Sequence, residues 1–542
     1  MAAIREQIVS AVRTPNGYRL EGVGILVSAS RFYSMDRFDL SGWPVCGHTG
    51  RELTEVPELL GRLNAGLEPS AQERLLFELS NSRDNMEDSL EALEQLGEGA
   101  TGEGTLADWE GRVWEGHPLH PGNRLRRGVT LQEQRRFGPE WQVEFPLRLL
   151  EVPREDLVVR GPLWPELSRL YPGIEGFRED SDRVALPVHP WAAERDLPTR
   201  LADGFASGRF RWLADDNVRA RPCMSFRSVV LHDANGPVGA HLKLPVAVQT
   251  TGATRTVSIS AAHNGPLMSR FLKSLWSLEQ PEVRTKLRGL SVMFEEASFH
   301  LRDNSSDQAR FLAGILRKGA AVTAKGWLLP AAALLEPRDN PLFVRAAHHY
   351  GLVPLELWRA YCEVLVPPQI FLCGELGVAL ETHPQNVVVE FLGEPGAPPR
   401  LQFHYRDLGG IRMHPARLGQ GLAKFGLEKK LDPPEFWPGS ATSTDSLRDL
   451  SSKFVYSLLQ NHLGELIRAT VRQTGESEGA YWDVLREILE RHRGDFGPDL
   501  GDRVFHPEWD FKTLWKMRID SAVTEYTFAP VRNPLVSKEV GR

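Results

Sequence analysis

Cysteine is scarce: Cys46, Cys223, Cys362 and Cys373 are the only four in 542 residues, and no two of them form a CxxC pair. That spacing excludes a disulfide framework and a cysteine-bound structural zinc, and the expectation is reduced thiols in a cytoplasmic protein. Long hydrophobic runs are missing too. The opening MAAIREQIVSAVRTPNG has no apolar core of signal-peptide length, and no later run reaches bilayer-spanning length, so no membrane partner is expected. Basic clustering is absent: 64 Lys and Arg stand against 71 Asp and Glu, a net charge of -7, which argues against nucleic acid as a partner. No internal repeat is visible.

The rest of the composition, 41% hydrophobic and 25% charged, is that of a soluble globular protein, and the length predicts two or three lobes. Residues 70–96 read as a long helix, with Ser70 and Glu73 in capping-box spacing and Leu75, Leu76, Leu79, Leu90, Leu93 and Leu96 as the apolar stripe; its acidic face is expected to be solvated. A glycine-rich loop follows at 97–104. Helical patterns return at 354–364 and 447–467, and 433–444 reads as a surface loop. The fold class predicted is α+β, helix-rich at both ends with strands between.

Residues 381–410 concentrate chemistry. Glu381, His383, Gln385 and Asn386 directly precede the β-rich run of Val387, Val388, Val389 and Phe391; a breaker cluster at 393–399 separates it from a second run at 401–405. A hairpin pairing Phe391 with Leu401 sets Arg406 opposite Asn386 and Asp407 near Gln385. Two carboxylates, an imidazole, two amides and an arginine then meet at one sheet end, which suits a metal and an anion.

Residues 225–255 read as a second hairpin around Asp233-Ala-Asn-Gly236. A three-residue loop pairs Arg227 with Lys243 and Ser225 with Pro245, and two facing cations call for an anion between them. His241, Lys243 and Gln249 would share one face, which Thr251 and Arg255 extend. The alternatives are a two-residue turn, which would separate the two cations onto opposite faces, and an edge hairpin with solvated charges.

GHPLHPGNRLRRG at 116–128 carries His117 and His120 three apart, but Pro118 and Pro121 preclude a regular helix and no third ligand lies nearby, so zinc is not expected. The loop either offers imidazole and guanidinium (Arg124, Arg126, Arg127) to an anion or is a turn with ordinary arginines. His189, within LPVHPW, reads as a structural histidine.

ETHPQN followed by RDLGG resembles the paired signature of the siderophore synthetases that work without nonribosomal peptide synthetases, the aerobactin synthetase-like family. GHPLHPGNRLRRG, LPVHPW, SFRS at 225–228 and KLPVAVQTTGATR at 243–255 follow the family's order, and Lys512 with the closing WKMR resembles its late element. Arg124 departs from the family's usual lysine, Ser228 from threonine and Pro384 from a small residue. The resemblance implies a cupped-hand architecture of thumb (1–160), fingers (161–350) and palm (351–542), with ATP between fingers and palm. It implies adenylation of a carboxylate of citrate or a related polycarboxylate, followed by attack of an amine or alcohol. Ser225, Arg227, Lys243, Thr251, Arg255, Gln385, Asn386 and Asp407 would hold the nucleotide; His120, Arg124, Arg255 and His383 the acid; and Glu381, Asn386 and Asp407 a Mg2+ ion. Catalysis would fall to His383, Arg255 and Lys243. A homodimer is expected. Two other readings fit the same charges. One is a kinase-like phosphotransferase, against which stands the absence of a glycine-rich phosphate loop and an H-R-D loop. The other is a non-catalytic polycarboxylate- or siderophore-binding protein.

Overall fold

The structure, a computed structural model, describes residues 1–64, 66–97, 104–178, 180–214, 217–302, 306–320, 326–522 and 525–536. Most of the glycine-rich loop expected at 97–104 lies outside them. Among the described residues no helix is long and apolar enough to cross a membrane.

Two sheets frame the molecule. The larger has seven antiparallel strands in the order Phe145–Pro146, Arg219–Pro222, Ser228–Asp233, Gly236–Lys243, Ala313–Lys318, Glu295–Leu301 and Leu157–Arg160. Its apolar face (Val229, Leu231, Leu242, Leu316, Phe299) belongs to one core cluster with Phe145, Leu149 and Leu186. The smaller sheet runs Leu290–Val292, Arg400–Tyr405, Val387–Leu392 and Gly326–Pro330, with only the first pair parallel. It packs into a second core with the C-terminal helices, through Val387, Val389, Phe403, Tyr361 and Leu458. Helix Ile259–Trp276 bridges the two: Ala262 sits with Ala313 and Ile315 of the large sheet, while Met268, Phe271 and Leu272 enter the second core.

The packing does not respect the expected lobe boundaries. Strands Leu290–Val292 and Gly326–Pro330 belong to the sheet of the third lobe, because the hairpin Val387–Leu392/Arg400–Tyr405 is buried on both edges by them. The first lobe is not mainly helical at its start. Residues 11–46 form a five-stranded antiparallel sheet with its own core of Tyr18, Leu20, Ile25 and Phe38. These strands are short and carry Arg13, Arg19 and Arg31, which masks their period.

Helix Pro69–Leu96 forms, but Glu68, not Ser70, is its N-cap, and no side chain caps it. With Pro69 at the first helical position the cap lies two residues before the expected one, and the expected capping box does not form. Leu90 and Leu96 of the expected stripe are exposed, while Ser82, Asn85, Asp88 and Ser89 are buried. That polar face is bonded rather than solvated: Ser82 accepts from Arg124 N–H at 3.0 Å and Asn85 donates to Arg124 C=O at 2.8 Å. Helix Pro354–Ile370 runs past its expected end at 364, through Pro367 and Pro368, into a π-helical turn Phe371–Glu375. The expected helix 447–467 is real but uneven: α over Leu447–Ser452, π over Lys453–Leu463, then α over Gly464–Thr474.

Candidate functional site

The palm hairpin takes the expected register. Phe391 pairs with Leu401 and Val387 with Tyr405, and Arg406 N–H donates to Asn386 C=O at 2.9 Å. Valines and aromatics alternating across a two-sided core leave one register in which no charge is buried unpaired. The buried Tyr405 then fixes both carboxylate residues. Its hydroxyl accepts from Glu381 N–H and donates to Asp407 C=O, each at 3.1 Å. Asp407 sits at φ 71°, in the left-handed region, which turns its carboxylate toward the opposite sheet. Gly410 leaves room there: a Cβ would collide with the Glu381 carboxylate.

The finger hairpin departs from the expected register. Ser228, not Arg227, pairs with Lys243; the turn has two residues, with Asp233 opposite Gly236, and a bulge lies between Val230 and His232. From Val230 to His232 the first strand advances two residues while its partner, from His241 to Pro237, advances four, so the bulge takes up two residues of the second strand. Lys243 ends its strand, and Gln249 belongs to a separate short strand, Gln249–Thr250. Arg227 nevertheless reaches the same surface as Lys243, because Phe226, at φ 66°, bends the chain before it. Its guanidinium donates to Thr256 C=O.

The two hairpins meet across a cleft of about 810 Å³. Ser225, Arg227, Lys243, Arg255, Glu381, His383, Gln385, Asn386 and Asp407 all line it. Lys243 Nζ bonds Asp407 Oδ1 at 2.7 Å across the gap. Burial pushes Asp407 up, but Lys243, Arg317 and Arg227 outweigh it and hold the carboxyl well below its usual range. Burial likewise opposes ionisation of Glu381, yet Lys453 and His383 bring it down to about 2. Burial lowers Lys243, and lowers Arg255 to about 10 with Arg227 assisting. His383 is lowered by burial and so is neutral near pH 7. Six cationic side chains (Arg227, Lys243, Arg255, Arg310, Arg412, Lys453) thus face two carboxylates (Glu381, Asp407) in a chain whose net charge is negative. The first turn of helix Ile259–Trp276, capped by Ser258 accepting from Ala261 N–H at 3.1 Å, also opens onto the cleft and adds its dipole's positive end.

The thumb contributes differently from expectation. Arg124 lines a side pocket of about 110 Å³ that shares Ser225, Arg255, His383 and Gln385 with the cleft; Thr251 lines it too. The Arg124 guanidinium is bonded to Glu140 at 3.1 Å and to Ser89, and Arg126 shares the same carboxylate. Glu140 is held down to about 2 by these two arginines against the push of burial. His120 lines neither space, and its Nδ1 accepts from Gly122 N–H at 3.0 Å; His117 lines the side pocket instead. His189 is fully buried among Phe137, Phe145 and Phe226, and its Nδ1 accepts from Trp191 N–H at 3.2 Å to cap a helix.

Two further residues escaped the sequence reading. Lys453 pairs with Glu381 from the π-helical segment; its signal was a lone lysine beside an apolar run. Glu110, fully buried, accepts from Met224 N–H at 3.0 Å and from Arg406, which in turn donates to Gln385 C=O at 2.8 and 3.0 Å. One thumb carboxylate thus joins the residue before Ser225 to the arginine behind Gln385.

This architecture is shared. An ATP-bound aerobactin synthetase IucA from Klebsiella pneumoniae superposes with a TM-score of 0.80 at 20% identity, over 98% of each chain. The fold is therefore the α+β cupped hand of such synthetases. In sequence, residues 105–336 match the IucA / IucC family and residues 355–537 a family described as ferric iron reductase FhuF-like transporter. The chain is 25% identical to staphyloferrin A synthase of Staphylococcus aureus, over 80% of this chain and 73% of that one. It is 26% identical to D-ornithine--citrate ligase of the same organism, over 79% and 69%. Along most of its length the chain is thus similar to proteins named as siderophore synthetases and citrate ligases.

Proposed function

We propose that this cleft uses ATP and Mg2+ to adenylate a carboxylate of citrate or a related polycarboxylic acid, and then condenses the activated acyl group with an amine or alcohol. The observation that carries the reading is the cation-rich cleft wall facing Asp407 and Glu381. A carboxylate oxygen attacks the α-phosphorus and pyrophosphate leaves; the nucleophile then attacks the acyl carbon and AMP leaves. Both partners of the first step are anions, so the barrier falls chiefly through fixed positive charge and in-line positioning. Lys243, Arg227 and Arg255 supply that charge, already oriented by Asp407, Thr256 and Thr250. Ser225, Gln385 and Asn386 add neutral donors along the same wall. Neutral His383 suits donation to the acid's carboxylate and acceptance of the nucleophile's proton.

The donor set fits Mg2+ that takes most of its ligands from phosphates and water, since the ion is commonly held by one or two carboxylates. Asp407 and Glu381 are ionised and line the cleft, and Asn386 offers an amide oxygen beside them. Bound there, the ion would neutralise phosphate charge. Lys243 and Lys453 hold the same two carboxylates.

Incubation with ATP, Mg2+ and a panel of carboxylic acids, citrate first, should release AMP and pyrophosphate, and hydroxylamine should trap the acid as its hydroxamate. ADP with a phosphorylated acceptor would replace this reading with a phosphotransferase. Binding of acids without nucleotide cleavage would favour a binding protein. Homologues named for citrate ligation support the choice of first acid.

A further inference from the structure

The side pocket beside His383 has a property the reaction chemistry does not explain. Asn461 lines it, is 2% exposed, and its side-chain Oδ1 is buried with no hydrogen-bond partner among the described residues. Leaving a buried amide oxygen unbonded costs its desolvation without return, so such a group calls for a reason. Its placement is not loose. Asn461 belongs to the π-helical segment Lys453–Leu463, whose two ends grip residues 381 and 382: Lys453 pairs with Glu381, and His462 Nδ1 hydrogen-bonds Thr382 C=O at 3.0 Å. His462 Nε2 is fixed in turn by the Tyr361 hydroxyl at 2.7 Å. Single π-turns inside helices recur at functional positions.

The pocket's volume, about 110 Å³, exceeds several-fold the roughly 10–15 Å³ that one water requires, and so admits a small branch of a substrate. Its chemistry restricts that branch. Among the described residues no Asp or Glu lines the pocket, and Arg255 does, which disfavours an ammonium. Arg124 and Arg126 share the one carboxylate of Glu140, which fixes both and leaves the pocket wall net positive. Arg255 is the cation outside that cluster that can meet a carboxylate. A carboxylate only accepts, however, and Oδ1 of Asn461 needs a donor. A hydroxyl both donates and accepts, and so satisfies the amide whichever way it is turned.

We infer that Asn461 is a specificity-determining residue that reads the hydroxyl of a hydroxy-polycarboxylic acid, whose adjoining carboxylate meets Arg255. This rests on the adenylating reading for its kinetic consequence, though not for its binding one. The test compares citrate with propane-1,2,3-tricarboxylate, which lacks only the hydroxyl. Calorimetric affinities, and kcat/KM for AMP formation, are measured on the wild type and on Asn461→Leu and Asn461→Ala. The wild type should prefer citrate at least ten-fold in affinity, and both variants should bring the ratio to within about two-fold, chiefly by weakening citrate. Asn461→Leu should also raise the thermal midpoint, because an apolar side chain of similar size removes the unbonded amide; a merely structural amide would lower it. Asn461→Ala keeps the test open where leucine does not fit. If the variants keep the wild-type preference, or the wild type has none, the inference is overturned. If no acid supports AMP formation, the adenylating reading fails by itself, and the calorimetric ratio still decides the role of Asn461.

Discussion

Two hairpins face each other across the cleft, and they obey different rules. The palm hairpin, Val387–Leu392 with Arg400–Tyr405, is an unbroken ladder buried by a neighbouring strand on each side. The finger hairpin, Ser228–Asp233 with Gly236–Lys243, carries a bulge, and the chain leaves it at once through Leu244 into short, irregular pieces. The first presents the carboxylates and amides at its end, the second Arg227 and Lys243 at its own. Rigidity on one side and local distortion on the other let the Lys243–Asp407 pair meet at 2.7 Å without a shared sheet. Acid groups held on a stiff ladder keep their separation, while cations on a bent one are aimed individually.

The sharpest way to break this contrast is to delete the aimed cations. Arg255→Ala or Lys243→Ala should lower AMP formation more than roughly 100-fold, the scale of losing one preorganised electrostatic donor, with the far-ultraviolet circular dichroism unchanged. Near-normal turnover by a folded Arg255→Ala protein would remove that residue from the site. Asp407→Asn probes the rigid side. It should cut the rate by about 10- to 100-fold and raise the Mg2+ concentration needed for half-maximal activity, read from a magnesium titration; an unshifted titration would exclude Asp407 as a metal partner.

The histidines separate chemistry from support. His383→Ala should abolish product formation while leaving the thermal midpoint near that of the wild type. His189→Ala empties a site walled by three phenylalanines and should cost about 2–5 kcal/mol of stability. If His189→Ala stayed fully stable and lost activity, the two roles would be reversed.

The last contrast is in pH. Burial lowers His189 to about 3 and His462 to about 4, against an ordinary value near 6.5. The unfolded chain therefore binds protons that the folded chain refuses, and the stability these groups contribute is present above pH 6.5 and is lost as pH falls toward 4. Each contributes about 1.4 kcal/mol per pH unit in that window. Urea midpoints from pH 7 to 4.5 should fall accordingly, and His189→Phe should make the slope shallower; an identical slope would contradict the buried neutral histidine.

What the sequence made legible follows the same division. The palm register could be read because a β-rich run and an alternating run flank a proline- and glycine-rich break that centres the hairpin. The finger register could not, since nothing in Val229-Val-Leu231 marks where a bulge sits. The polar face of helix Pro69–Leu96 looks like any solvated face until its partner loop at 116–128 is placed against it. Arg124 and Arg126 look like free anion binders until Glu140 is found between them. Asn461 and Lys453 lie in a helix whose π pitch leaves no trace in composition. Local patterns report local pairing, and groups brought together from distant segments stay silent.

Glu110 shows what such distance means for the molecule as a heritable unit. Its single carboxylate is bonded to Met224 and to Arg406, so three segments separated by more than a hundred residues each depend on one side chain. A chimera that exchanged the thumb of this chain for one without an acid at that place would strand Arg406 in a buried position and slacken the loop that carries Ser225 and Arg227. The lobes of such a protein are therefore coupled through that one carboxylate, and an exchange of the thumb must carry an acid at the same place.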